Sequence, residues 1–280
     1  MADMNDSIKI AADAISNANA LLIGAGAGMG VDSGLPDFRG SQGFWQAYPR
    51  YKELGLDFQE LANPRWFHQD PAMAWGFYGH RLNLYRSTRP HIGFSILNRW
   101  ADNMTQGGFV FTSNVDGQFQ EAGFDPEKIV ECHGAIRWMQ CQARCGAQIF
   151  PAADGVIMID ELSMKAKQPL PACPDCHGLA RPNILMFGDA AWKPERTEVQ
   201  ERNFASWKRQ LRQPRLVVIE CGAGSAIPSV RLTCEAMTRM HKGILIRINP
   251  RESRVPGPTD IGLPMGASQA IRAINKLLSP

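Results

Sequence analysis

Apolar positions along the chain change period several times, and the changes mark its elements. Between Asp6 and Ala20, the positions Ile8, Ala11, Ala12, Ile15 and Ala18 recur at helical spacing, with Asp6 or Ser7 as N-cap. The run Leu21-Leu22-Ile23 then predicts a buried strand. Phe109-Val110-Phe111-Thr112, Lys128-Ile129-Val130-Glu131-Cys132, Leu216-Val217-Val218-Ile219-Glu220 and Gly243-Ile244-Leu245-Ile246-Arg247-Ile248-Asn249 predict further strands. Pro90 to Trp100 and Gly266 to Leu278 read as helices. Short apolar strands alternating with helices predict an α/β fold, a doubly wound Rossmann-like parallel sheet with functional residues at strand C-termini.

Two stretches depart from this rhythm. From Phe44 to Arg86 the chain is aromatic-rich, with Trp45, Tyr48, Tyr51, Phe58, Trp66, Phe67, Trp75, Phe77, Tyr78 and Tyr85 punctuated by Asn63-Pro64 and Asp70-Pro71. Two or three short helices, a lid module over 44–86, are expected there. From Met139 to Met186 the periodicity fades and cysteine, proline and glycine take over. That predicts a module over 139–186 held by something other than a core. Residues 1–43, 87–138 and 187–280 are left for the Rossmann-like domain.

Composition narrows the function classes. A chain of 280 residues with 44% hydrophobic content can bury one large core plus a satellite module. Thirty basic against 27 acidic residues give a net charge of +3, too little for direct nucleic-acid binding or a membrane surface. No apolar run is long enough to cross a bilayer, and MADMNDSIKIAADAI has acids where a secretory signal needs a basic then apolar segment, so the expectation is a cytoplasmic protein. Four of the seven cysteines form two close pairs, which suits metal binding in a reducing compartment better than a disulfide frame.

The chemistry concentrates where Leu21-Leu22-Ile23 runs into Gly24, Gly26, Gly28 and Gly30. Backbone without Cβ takes positive φ and lets N–H groups approach a pyrophosphate, so this turn predicts a nucleotide site, with Gly26, Gly28 and Gly34 in contact. A dinucleotide-binding unit of the usual kind continues into a helix and an acid about 20 residues on. This chain gives Ser33-Gly34-Leu35-Pro36-Asp37-Phe38-Arg39-Gly40 instead, a loop that Pro36 keeps from continuing as helix.

GAGMG followed by SGLPDFRG resembles the GAGIS and SGIPDFR signature of sirtuins, the NAD-dependent protein deacylases, and the likeness runs from about Ala20 to Asn249. It implies a bacterial-type enzyme with NAD as co-substrate and acyl-lysine proteins or peptides as partners. Gly26, Ala27, Gly28, Asp37, Phe38 and Arg39 are thereby assigned to the dinucleotide. Thr112-Ser113-Asn114-Val115-Asp116-Gly117 is similar to the family's TQNxDG motif, placing Asn114 and Asp116 on the nicotinamide ribose and amide, with Ser113 where the family has Gln. Glu131-Cys132-His133-Gly134 resembles the HG motif and makes His133 the general base, with the glycine giving room beside it. In the implied mechanism the acyl oxygen attacks the anomeric carbon as nicotinamide leaves, and the imidazole takes a proton from a ribose hydroxyl. By themselves, the first motif is also an Asx turn and the second a hydrogen-bonded structural histidine.

Further along, Cys221-Gly222-Ala223-Gly224-Ser225 stands where the family has GTSLxVxP, and Ile248-Asn249-Pro250-Arg251 resembles its INxE/INP strand end. Gly222, Ser225 and Asn249 are thereby implied as phosphate or adenosine-ribose contacts. RPNILMFGD, Arg181 to Asp189, is similar to RPNVVWFGE, implying a segment that pairs with the peptide backbone and includes Phe187 and Gly188.

Cys141-x3-Cys145 and Cys173-x2-Cys176 offer four thiolates that can close a structural Zn²⁺ shell; the plain alternative is buried cysteines packing as apolar residues. The family has two residues inside each pair, so the Cys141 knuckle bulges, and His177 is an outer donor or a substitute ligand. Tyr78 and Arg81 share a helical face and look like the Tyr-x-x-Arg pair with which some sirtuins bind succinyl and malonyl lysine. The other placement packs Tyr78 in the lid with Arg81 in water. The expected reaction is removal of acetyl, or of succinyl and malonyl, releasing nicotinamide and O-acyl-ADP-ribose. Protein ADP-ribosyl transfer and NAD hydrolysis start from the same cleft, and a non-catalytic NAD sensor is the reading from another class.

Overall fold

The computed structural model describes residues 4–36, 52–53 and 55–278. The expectations for Asp37, Phe38 and Arg39, and for Trp45, Tyr48 and Tyr51, lie outside the described residues. The first half of the chain gives α1 (Met4–Ser16), β1 (Ala20–Ala25), α2 (Gly28–Val31), α3 (Phe58–Leu61), α4 (Trp66–Gln69), α5 (Pro71–Ser87), α6 (Ile92–Asp102), β2 (Gly108–Thr112), α7 (Gln118–Glu121), β3 (Ile129–Glu131) and β4 (Gly134–Cys141). The second gives β5 (Phe150–Pro151), β6 (Ala180–Ile184), α8 (Glu195–Gln210), β7 (Leu216–Cys221), α9 (Ser229–His241), β8 (Ile244–Ile248), β9 (Ile261–Leu263) and α10 (Ala267–Leu278).

Six parallel strands form one sheet in the order β3-β2-β1-β7-β8-β9. The chain reverses direction across the sheet between β1 and β7, and a crevice opens there at the strand C-termini. Side chains alternate along β1. Leu21, Ile23 and Ala25 pack with Ile8, Phe94 and Ile271 of α1, α6 and α10, whereas Ala20 and Leu22 pack with Phe204, Cys234 and Met237 of α8 and α9. Helices therefore cover both faces, as the apolar strand runs predicted. α8 carries no apolar stripe, since its buried residues are Thr197, Gln200 and Phe204. Beside the Phe204 contact, side-chain hydrogen bonds tie it to β3: Thr197 Oγ1 donates to Glu131 O, and Gln200 Oε1 accepts from Glu131 N.

β4, β5 and β6 form a separate antiparallel sheet. It shares a core with the lid helices, where Leu61, Phe67, Trp75, Phe77, Tyr78 and Leu82 pack on Ile136, Met139, Ala180 and Ile184. α5 begins at Pro71, and the Asp70 carboxylate caps it by accepting from Met73 N at 3.0 Å. Two mid-helix glycines, costly in a helix, are explained by what crosses them. A Cβ on Gly76 would lie 1.9 Å from Met164 O, and one on Gly79 would lie 2.7 Å from Ile157 Cγ2. Residues 157–166 thus lie directly on α5, with Ile157, Ile159 and Met164 packed in the lid's core. A stretch without periodicity of its own is held by borrowed apolar surface.

Candidate functional site

Two glycine loops interlock at the crevice. Gly26 N donates to Cys221 O at 2.9 Å and Gly28 N to Gly222 O at 3.0 Å. A Cβ on Gly26 would sit 2.6 Å from Ala223 Cα, and one on Gly28 would sit 2.8 Å from Gly222 Cα. Gly222 itself has φ +60. The close approach that requires these glycines is between β1 and β7 loop backbones, and their amides are already committed to it. Between them, Ala27 lines a cavity of about 430 Å³.

Ser113, Asn114, Asp116 and His133 reach the same cavity from the ends of β2 and β3. The β2 loop is tied down at each step. Thr112 Oγ1 donates to Ala25 O at 2.9 Å and accepts from Asn114 N at 3.0 Å, while Asn114 Nδ2 donates to Gly26 O at 2.9 Å. The Asp116 carboxylate accepts from Gln118 N at 2.9 Å. Burial pushes its pKa up to about 6; Glu131 adds to the rise, and the Gln118 amide, Arg81 and Arg137 oppose it. His133 is half-buried on the β3–β4 connection, and its carbonyl accepts from Leu185 N at 3.0 Å. Gly134 has φ +72, and a Cβ there would lie 2.1 Å from Asn183 O. That glycine makes room for the β6 backbone rather than for the imidazole.

The raised Asp116 pKa has a sign. Its ionised form is disfavoured in the fold, so the cost is absent below about pH 4, grows as pH rises, and is complete above about pH 6, where it reaches about 2–3 kcal/mol. Asp116→Asn keeps an acceptor for Gln118 and is expected to stabilise the protein by about that amount at pH 8 and hardly at pH 4. Urea denaturation at the two pH values checks it; equal stabilisation at both would remove the ionisation cost.

Tyr78 and Arg81, on α5, line the other end of the cavity with Tyr85. Arg81 does not point into water, being only 6% exposed. Its guanidinium lies over the rings of Phe58, Phe77, Tyr78 and Tyr85, 5.2–5.9 Å from their centroids. Nε and Nη2 donate to Tyr85 Oη at 3.1 and 2.8 Å. Tyr78 is 1% exposed, stacked on Phe67 at 5.7 Å, and its hydroxyl has no hydrogen-bond partner among the described residues. Burial raises its pKa, which keeps the phenol neutral and a donor. Sequence reasoning missed Tyr85, although its position seven residues after Tyr78 puts it on the same helical face.

Phe187 and Gly188 line the cavity, as does Asp189. Asp189 holds the segment by a buried bidentate pair with Arg181 at 2.6 and 2.9 Å. Phe187 N is spent on Ala62 O at 2.9 Å. Gly222, Ser225 and Asn249 are not among the cavity's lining residues. Asn249 Nδ2 donates to Ala223 O at 3.0 Å and Ser225 N donates to Glu252 Oε2 at 3.0 Å.

The four cysteines converge. Cys141 and Cys176 Sγ are 3.6 Å apart, as are Cys145 and Cys173, and all four lie within 4.8 Å of one another. A tetrahedral Zn²⁺ with Zn–S bonds of about 2.3 Å has sulfur–sulfur edges of about 3.8 Å, so the set fits a structural zinc. The extra residue in the first knuckle is absorbed at Arg144, whose φ is +54. His177 serves the second through its backbone, N–H to Cys173 O at 3.0 Å. The sulfur set is complete without its ring. No helix among the described residues is long and apolar enough to cross a membrane.

The family model described as the Sir2 family matches residues 26–206. An NAD-dependent protein deacylase of Aeropyrum pernix is 28% identical over 264 residues, 94% of each chain. The mitochondrial NAD-dependent protein deacylase sirtuin-5 of Danio rerio is 31% identical over 189 residues, 62% of this chain and 58% of that one. A solved Sir2 homologue mutant in complex with ADP-ribose is 25% identical and superposes with a TM-score of 0.68, covering 96% of this chain and 97% of that one.

Proposed function

The chain belongs to the Sir2 family and is an NAD-dependent protein deacylase, and we propose that the cavity between β2, β3 and α5 is where it removes acyl groups from lysine, acidic ones included. The observation that carries this is the shared lining: His133, Asn114 and Asp116 face the same 430 Å³ cavity as Tyr78 and Arg81. Bound NAD supplies a ribose carbon at which nicotinamide exchanges for the acyl oxygen. Asn114, with its amide nitrogen fixed on Gly26, offers its carbonyl oxygen to a ribose hydroxyl. With the dinucleotide bound, ionised Asp116 would accept from the nicotinamide amide, and the His133 imidazole would take the ribose hydroxyl proton. Ala27, Ser113 and the loops carrying Gly222, Ser225 and Asn249 hold the rest of the dinucleotide, together with Asp37, Phe38 and Arg39. The 185–189 segment flanks the peptide.

At the acyl end, a buried guanidinium and a phenol donor without a partner among the described residues suit a carboxylate-bearing chain such as succinyl. Matched acetyl-lysine and succinyl-lysine peptides, with products followed by mass spectrometry, test this. Arg81→Met is expected to lower the succinyl-to-acetyl ratio of kcat/KM by about 10- to 100-fold, the worth of a charge-assisted hydrogen bond. An unchanged ratio would remove the carboxylate pocket. Free ADP-ribose or an ADP-ribosylated peptide, with neither acyl group released, would show a different nucleophile in this cleft.

A further inference from the structure

We propose that Tyr85 is a positioning residue that sets acyl specificity: its phenol oxygen fixes the Arg81 guanidinium so that Arg81 and the Tyr78 hydroxyl together grip the carboxylate of a dicarboxylic acyl chain. The proposal rests on the acidic-acyl reading of Tyr78 and Arg81 and deepens it. Tyr78, Arg81 and Tyr85 stand at positions i, i+3 and i+7 of α5, one face of the helix, and all three line the cavity. A lone arginine on a flexible stem loses rotamer freedom whenever it meets a ligand. Here that freedom is already removed. The planar guanidinium sits among four aromatic rings, and its Nε edge is anchored on Tyr85 Oη by two hydrogen bonds of 3.1 and 2.8 Å. Fixing one edge of a rigid fork fixes the direction of the other nitrogens.

The second half of the grip is Tyr78. Its hydroxyl is buried at the cavity wall without a partner among the described residues, an arrangement that a ligand acceptor oxygen would relieve. An acetyl group brings no acceptor beyond its amide oxygen. A succinyl or malonyl chain brings a carboxylate able to accept from both Arg81 and Tyr78. Tyr85 then acts through Arg81 and through no bond of its own to the acyl group, which separates its effect from that of a binding residue.

Tyr85→Phe removes the oxygen and keeps the ring, so the aromatic packing stays. Steady-state kinetics on matched acetyl and succinyl peptides are read for the wild type, Tyr85→Phe and Arg81→Met, each with a thermal melt. Tyr85→Phe is expected to raise KM for the succinyl peptide about tenfold with kcat within about twofold, and to lower the succinyl-to-acetyl ratio of kcat/KM by about the same factor. If Arg81→Met lowers that ratio and Tyr85→Phe does not, the role of Tyr85 falls while the acidic pocket stands. Should Arg81→Met leave the ratio unchanged, or the wild type release no succinyl group, both fall together. A merely structural Tyr85 would depress both substrates equally along with the melting temperature, and that result also overturns the proposal.

Discussion

Replacing His133 by alanine is expected to lower kcat/KM for acyl removal by about 10²- to 10⁴-fold, the range a positioned general base contributes, with the thermal melt unmoved. The separation follows from where the residue sits. Its carbonyl accepts from Leu185 N, and alanine keeps that bond. Its side chain is half-buried at a cavity wall, so truncation opens space toward the cavity and leaves both apolar cores of the sheet untouched. Turnover of an acetyl-lysine peptide by mass spectrometry, beside the melt, checks the assignment. Wild-type turnover in the variant would mean that another group takes the ribose proton.

Cys173→Ser is expected to cost the zinc and the soluble fold together. Apparent binding free energies of structural zinc sites in small peptides are about 10–16 kcal/mol at neutral pH, and in a site whose core is thin that energy is folding energy. The core here is thin: among the described residues, Cys141, Ala147 and Cys173 form the buried cluster at the metal end, with Phe150 packed against it. The damage should spread along β4 and β6. Cys141 ends β4, β6 pairs with β4 from Gly134 to Cys141, and the segment after β6 carries Phe187, Gly188 and Asp189 to the cavity. Metal content by elemental analysis, the fraction soluble and deacylation are therefore expected to fall together, and chelation of the wild type should reproduce the loss. A stable, active, zinc-free variant would show that the metal is dispensable.

Much of this was legible in advance, for identifiable reasons. Leu21 to Ile23 and Leu216 to Glu220 are apolar at every position up to the Glu220 end because parallel strands are covered on both faces, and such runs announce themselves. Asn114, Asp116 and His133 stand at strand ends, where a doubly wound sheet opens its crevice. The cysteine pairs named their own chemistry through spacing. Other features left no periodic trace. α8 is held on β3 by the hydrogen bonds of Thr197 and Gln200 and on the sheet by Phe204 and Trp207, too few apolar positions to show as a stripe. The 157–166 stretch is ordered by α5, and its signature was the pair of helix glycines, Gly76 and Gly79, far away in sequence.

The sequence by itself determined the class of sheet, the residues at its strand ends and the four thiolates, because each of these is written in neighbouring positions along one chain segment. Tertiary structure alone decided what those residues face. Gly26 and Gly28 are glycines because Gly222 and Ala223 press on them, and Gly134 because Asn183 O does. That Tyr78 and Arg81 both line the cavity, with Arg81 buried rather than in water, is set only when α5 is laid against it. Only then does Tyr85, one helical turn beyond Arg81, come within 2.8 Å of its guanidinium. Spacing along a helix reports which side chains share a face; burial, orientation and hydrogen-bond partners arise from segments that meet only when the chain is folded.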